Sequence, residues 1–158
     1  MNDLILSNFD IFDICNELNI NLIDCVAKDK LVFLPKRNGG YIINLDNSNS
    51  SGTHWVALYL DNNICCYFDS YGSIYPNEVR DFVGNKVIIY NTNVIQDLKD
   101  NFGCGWYCIA FIHYLQQNNN KNKNLYDELN GFIRQFNLNN SKKSILKLKD
   151  YYKHIKYN

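Results

Sequence analysis

Apolar residues recur at helical spacing over residues 7–18, with Ser7 placed to cap the helix they predict. Further on the period shortens. Residues 31–34 and 41–45 read as short strands around the turn-like triplet Asn38-Gly39-Gly40, and the polar stretch 46–52 reads as a loop. Residues 53–60 and 64–69 predict the two strands of a hairpin, 76–83 a short helix with proline near its first turn, and 86–90 a further strand. After the mostly polar stretch 91–103, residues 104–117 are apolar on nearly every side, which predicts a buried central helix. Two amphipathic helices are expected at 125–136 and 141–155, separated by the polar linkers 118–124 and 137–140. No internal repeat is visible, and a single domain over residues 1–158 is expected, of the α+β class.

Composition narrows the setting. Hydrophobic residues make up 46% and charged residues 20% of the 158, the balance of a globular chain able to bury a core. No apolar run reaches the ~18 residues that span a bilayer. Residues 1–10 lack the basic start and apolar run of a signal peptide. An intracellular, reducing environment is therefore expected, with Cys15, Cys25, Cys65, Cys66, Cys104 and Cys108 as free thiols. Cys65 and Cys66 alternate faces on a strand and are poorly placed to bond to each other. The formal net charge is zero, yet nine bases against three acids from Lys121 onward give that third +6 and leave the remainder at −6. Such a tail is either a solvated helix face or a surface that steers toward acidic partners.

The hairpin brings the first chemistry together. If Asp61-Asn62 is a two-residue turn, Leu60 pairs with Asn63 and His54 falls directly opposite Asp69. Opposed side chains lie ~4.5–5.5 Å apart at Cβ, so backbone register alone would set an imidazole beside a carboxylate. That carboxylate fixes the ring's tautomer and favours its charged form. Asp69 can alternatively serve as a turn former ahead of Ser70-Tyr71-Gly72.

Gly103-Cys104-Gly105 opens the buried helix. A thiol there feels the positive end of the helix dipole, which favours the thiolate, and small neighbours admit a substrate backbone. Cys108, one turn on, reads as packing, like Cys15, Cys25, Cys65 and Cys66. His113 lies near the opposite side of the helix from Cys104 and is a poor partner for it. Gln96, in the polar stretch before the helix, would supply one oxyanion donor and the Cys104 N–H a second. Trp55 reads as a packing wall beside His54. Cys65, Cys66, Cys104 and Cys108 lack the C-x₂-C spacing of a zinc site, so no metal and no cofactor are expected.

Thr53-His54-Trp55, then Phe68-Asp69-Ser70-Tyr71-Gly72, then Gln96, then Gly103-Cys104-Gly105-Trp106-Tyr107-Cys108 resemble the adenain-like cysteine proteases. These include the adenovirus maturation protease, related proteases of large DNA viruses and virophages, and the SUMO-specific proteases. The order His, Asp, Gln, Cys is that family's and differs from papain's, where Cys precedes His. The likeness covers residues 52–115. It implies His54 as general base, Asp69 as its orienter, Gln96 as oxyanion donor and Cys104 as nucleophile, with Trp55, Gly103 and Gly105 at the substrate. It implies a central mixed sheet flanked by helices, a circularly permuted papain-like fold with the nucleophile at the N-terminus of the central helix.

The activity implied is a cysteine endopeptidase that cuts viral capsid or precursor proteins after glycine, at Gly-Gly or Gly-X-Gly type sites, during virion maturation. It would act as a monomer, in the virion or the host-cell cytoplasm, without a membrane. The alternatives are a deconjugating protease for SUMO or ubiquitin-like proteins and an inactive capsid or adaptor module. The adenovirus member is activated by a capsid-derived peptide and DNA. Here the neutral overall charge does not imply strong DNA binding, and the basic C-terminal third is its only local support.

Overall fold

The computed structural model describes residues 5–97, 99–100, 102–118, 124–136 and 140–156. Helix α1 (Asn8–Glu17) starts where a capping box dictates: the Ser7 hydroxyl accepts from Asp10 N at 3.2 Å, and the Asp10 carboxylate accepts from Ser7 N at 2.7 Å. Ile11 and Cys15, four residues apart, form its buried stripe.

Five strands make one mixed sheet in the order β1 (Leu22–Ala27), β2 (Gly39–Asn44), β3 (Trp55–Asp61), β4 (Ile64–Phe68) and β5 (Val87–Tyr90). The inner pairs, β2–β3 and β3–β4, are antiparallel, whereas β1–β2 and β4–β5 are parallel. Each parallel pair needs a crossover. Helix α2 (Asn77–Val83) connects β4 to β5, and a 3-10 helix (Lys28–Phe33) lies between β1 and β2.

The strand expected at 31–34 is therefore absent. Its apolar run belongs to the crossover, where Leu31 is buried while Val32 and Phe33 face outward. Strand β1 is an addition to the expected set. Asp24 interrupts its apolar run, and its pairing with β2 is irregular between Leu22 and Asp24.

The hairpin differs from the expected register. Asp61 pairs with Ile64, so the turn is Asn62-Asn63, and Asn62 adopts the positive φ (42°) that such a turn needs and asparagine tolerates. The last ladder pair is Ala57 with Phe68. Carried three residues further, this register sets Tyr71, not Asp69, opposite His54. Asp69 falls diagonally across from His54, on the same face. The slip is one residue on each strand, so side-chain parity survives it.

Alternation along the strands builds two cores. Cys25, Ile42, Ala57, Cys66 and Phe68 turn to one face, while Tyr41, Ile43, Val56, Leu58, Cys65 and Tyr67 turn to the other, against α2 and the 3-10 helix. Cys65 and Cys66 are thus on opposite faces, and all six cysteines are free. Helix α3 (Gly103–Gln117) packs on β3 on the first face and is buried continuously from Gly103 to Ile112. Around it pack α1, α4 (Leu125–Ile133) and α5 (Ser141–Lys156). Phe68 stacks on Phe111 at 4.8 Å, and burying a side chain of that size contributes about 1.5–3 kcal/mol. From α5 the buried Tyr152 donates its hydroxyl to Trp106 O at 2.6 Å, bracing the start of α3. Among the described residues, no helix is long and apolar enough to cross a membrane.

Candidate active site

His54 immediately precedes β3, and Asp69 immediately follows β4. Both leave the ladder at the same end of the hairpin, and His54 Nε2 lies 2.7 Å from Asp69 Oδ1. The Asp69 carboxylate is buried and also accepts from Tyr71 N at 2.8 Å and Ser73 N at 3.3 Å. Its main chain is fixed as well. The buried Asn91 side chain, just past β5, accepts from Asp69 N at 3.0 Å and donates to Asp69 O at 2.6 Å, as a neighbouring strand would.

Cys104 is the second residue of α3. Phe102 has no side chain able to cap that helix; Asp100 does so instead, its Oδ1 accepting from Phe102 N at 3.1 Å and Gly103 N at 3.2 Å. Cys104 is 4% exposed. It is one of the two groups that raise the pKa of the His54 ring. The ring nitrogen not held by Asp69, Nδ1, is buried and carries no formed hydrogen bond. Nδ1 is thus the ring nitrogen left for the thiol; catalytic hydrogen bonds commonly tighten only when substrate binds.

Opposing forces set the charge on the imidazole. Burial disfavours the charged ring, but the hydrogen bond and charge of Asp69, together with Cys104, outweigh it, and the His54 pKa is raised to about 9. The other cysteines are held as neutral thiols. Burial pushes Cys15 up to about 12 and Cys65 up to about 11, and raises Cys25, Cys66 and Cys108 as well.

Tyr71 joins the group without having been singled out in the sequence. Its ring stacks on the His54 imidazole with centroids 4.5 Å apart and planes 20° from parallel. Burial, and next the charge at Cys104, push its hydroxyl up to about 12, so it stays a neutral donor. That hydroxyl donates to Asp100 O at 2.9 Å. Gln96, almost fully buried, belongs to the same network. Ser70 Oγ donates to Gln96 Oε1 at 2.6 Å, which orients the amide so that Nε2 donates to Asp100 O at 2.7 Å and Tyr71 Oη at 3.3 Å. Both Nε2 hydrogens are thereby engaged, and donation to a substrate oxygen requires one of these bonds to exchange.

The remaining sequence candidates surround the thiol. A Cβ on Gly105 would sit 3.2 Å from Leu6 Cδ1 and 3.4 Å from Trp55 Cδ1. On Gly103 it would sit 2.8 Å from Asp100 Oδ2, so the requirement for glycine there arises inside the protein. Trp55 Nε1 donates to Leu6 O at 2.8 Å, seating residues 5–7 against the site. Between these residues and the loop before His54 lies a cavity of about 430 Å³ with Cys104 in its wall. His113 is elsewhere, bonded to Tyr151 Oη at 2.7 Å.

Sequence reasoning missed Tyr71, Asn91 and Asp100. The signal for Asp100 was present, an acidic residue three positions before a helix start. The signal for Tyr71 was the hairpin register, lost with the misplaced turn. Asn91 stands among many asparagines and carries no local mark.

No protein-family model matches the sequence, and no curated protein is similar to it in sequence. Solved structures do share the fold. The chain is similar to the ASFV pS273R protease, with a TM-score of 0.58 and 16% identity over 93% of this chain and 68% of that one. It is similar to ChlaDub1 from Chlamydia trachomatis, with a TM-score of 0.50 and 16% identity over 97% and 78%. A weaker likeness, TM-score 0.44 at 15% identity over 93% and 78%, is to the SUMO protease Ulp1 with its catalytic cysteine oxidized to a sulfinic acid. On the first two likenesses, the mixed five-stranded sheet with its helices is the α+β fold shared with the ASFV pS273R protease and ChlaDub1.

Proposed function

We propose that the protein is a cysteine protease acting on protein substrates, with Cys104 as nucleophile, His54 as general base and Asp69 as the group that orients His54. The observation that carries this reading is the state of His54. One ring nitrogen is held at 2.7 Å by a buried carboxylate, the other is buried and unbonded, and Cys104 acts on the ring. His54 takes the thiol proton, and the thiolate attacks the peptide carbonyl carbon. The oxyanion is met by the Cys104 N–H and by Gln96 Nε2 once it exchanges a bond to Asp100 O or Tyr71. Protonated His54 then gives its proton to the leaving amine, and water hydrolyses the thioester.

The finer reading is cleavage after glycine, at Gly-Gly or Gly-X-Gly type sites of capsid or precursor proteins during virion maturation, in the virion or host-cell cytoplasm. The residue pattern shared with viral maturation proteases supports it. An activating acidic peptide or DNA would meet the exposed Lys142, Lys143, Lys147 and Lys153 of α5.

Purified protein incubated with Gly-Gly junction peptides, and in parallel with SUMO and ubiquitin fusions, tests the proposal. Cys104→Ala is expected to abolish cleavage while the protein stays folded. Cleavage of the fusions alone would make it a deconjugating protease, and undiminished turnover in Cys104→Ala would end the proposal.

A further inference from the structure

We infer that the cavity beside Cys104 is a substrate subsite that selects a lysine or arginine side chain through Asp46; the inference rests on the protease reading above. The cavity has two kinds of wall. Ile5, Leu6, Val26 and Trp55 form apolar surface, and serines and asparagines of the loop before His54 supply uncharged polar groups. Among the described residues that line it, Asp46 is the one charged side chain and none is basic. Asp46 is half-buried and makes no ion pair among the described residues.

Its position is tied to the nucleophile's partner. Asp46 N donates to Asn44 Oδ1 at 2.9 Å, and the preceding Leu45 N donates to His54 O at 2.9 Å. The carboxylate therefore sits on main chain anchored to the residue that activates Cys104. It is a fixed feature of the cavity rather than the tip of a free loop.

A lysine or arginine satisfies both walls at once. Its methylene stem covers apolar surface while its charged head reaches a carboxylate. An acidic side chain in the same place meets like charge, and a short neutral one leaves the apolar wall uncovered; repulsion of the wrong side chain adds to the discrimination. Substrates are thus selected for a basic residue in the stretch that fills the cavity, separately from the residue at the scissile bond.

A chymotryptic peptide library from a bacterial proteome tests this, because it offers every kind of side chain on both sides of a cut. It is incubated with wild type, Cys104→Ala, Asp46→Asn and Asp46→Lys, and new amino termini are sequenced by mass spectrometry. The expected result is roughly five-fold enrichment of Lys and Arg over Asp and Glu at one position near the cut. The enrichment should vanish in Asp46→Asn and reverse toward acidic residues in Asp46→Lys. Cys104-dependent cleavage whose charge preference is the same in all Asp46 variants overturns the subsite and leaves the protease reading standing. No Cys104-dependent cleavage in folded protein removes both.

Discussion

Two histidines in this molecule each lie 2.7 Å from an oxygen, and their surroundings drive them in opposite directions. His54 meets a buried carboxylate, and with Cys104 adding to the effect its pKa is raised to about 9. His113 meets the hydroxyl of Tyr151, and burial lowers its pKa. Distance and burial alone do not make a base. A neutral partner satisfies a ring nitrogen without compensating a positive ring, whereas a carboxylate does both. His113 is a packing residue that happens to be polar; His54 is prepared to hold a proton.

The sharpest way to break this contrast is Asp69→Asn, which leaves His54 a neutral partner, as His113 has. Peptide cleavage, measured as kcat/KM, should fall on the order of 10³-fold, and alkylation of Cys104 should lose its dependence on His54. A fall of less than about ten-fold would show that the carboxylate's charge is not what matters.

Next in size is Asn91→Ala. It leaves Asp69 N and O without their side-chain partners in a buried place, for a loss of about 2 kcal/mol in urea unfolding. Activity should fall more than Asn91's distance from the thiol suggests, because the carboxylate it steadies can drift.

The two histidines should also appear in the pH dependence of stability, with opposite signs. His54, raised, stabilises the folded state fully below the ordinary value of 6.5, and that contribution is lost as pH climbs through about 9. His113, lowered, is neutral in the folded protein, so stability falls as pH drops below 6.5, where the unfolded chain takes up the proton first. Urea midpoints across this range should flatten on the alkaline side in His54→Gln and on the acid side in His113→Gln. Parallel curves in both variants would contradict the assignment.

The smallest effect belongs to Tyr71→Phe. It keeps the ring on His54 and removes the hydroxyl's bonds to Asp100 O and Gln96 Nε2, so kcat should drop roughly three-fold with KM unchanged. Tyr71→Leu, which removes the stack, should cost more and shift the alkaline limb of the rate profile.

Much of the contrast was legible in the order of residues alone. The sequence around His54, Asp69, Gln96 and Cys104 pointed to the fold, and helical geometry separated His113 from Cys104. The hairpin argument reached the right neighbours through the wrong pairing. Asp61-Asn62 and Asn62-Asn63 are equally turn-like in sequence, and the pairing of Asp61 with Ile64 distinguishes them. The slip kept parity, so the carboxylate stayed on the right face while Tyr71 was overlooked.

Residues 31–34 misled because a four-residue apolar run has no period to reveal. Its fate was decided by the need for a crossover between parallel strands. The amide orientation of Gln96 was out of reach, because it depends on Ser70, Tyr71 and Asp100 converging from separate segments.

The bond from Tyr152 to Trp106 has a consequence for the timing of synthesis. The ribosome delivers His54, Asp69 and Cys104 well before the hydroxyl that braces the first turns of α3. At about 5–20 residues per second, synthesis from Cys104 to Tyr152 takes seconds. During that interval a nascent chain carries the thiol and its histidine without the strut behind them.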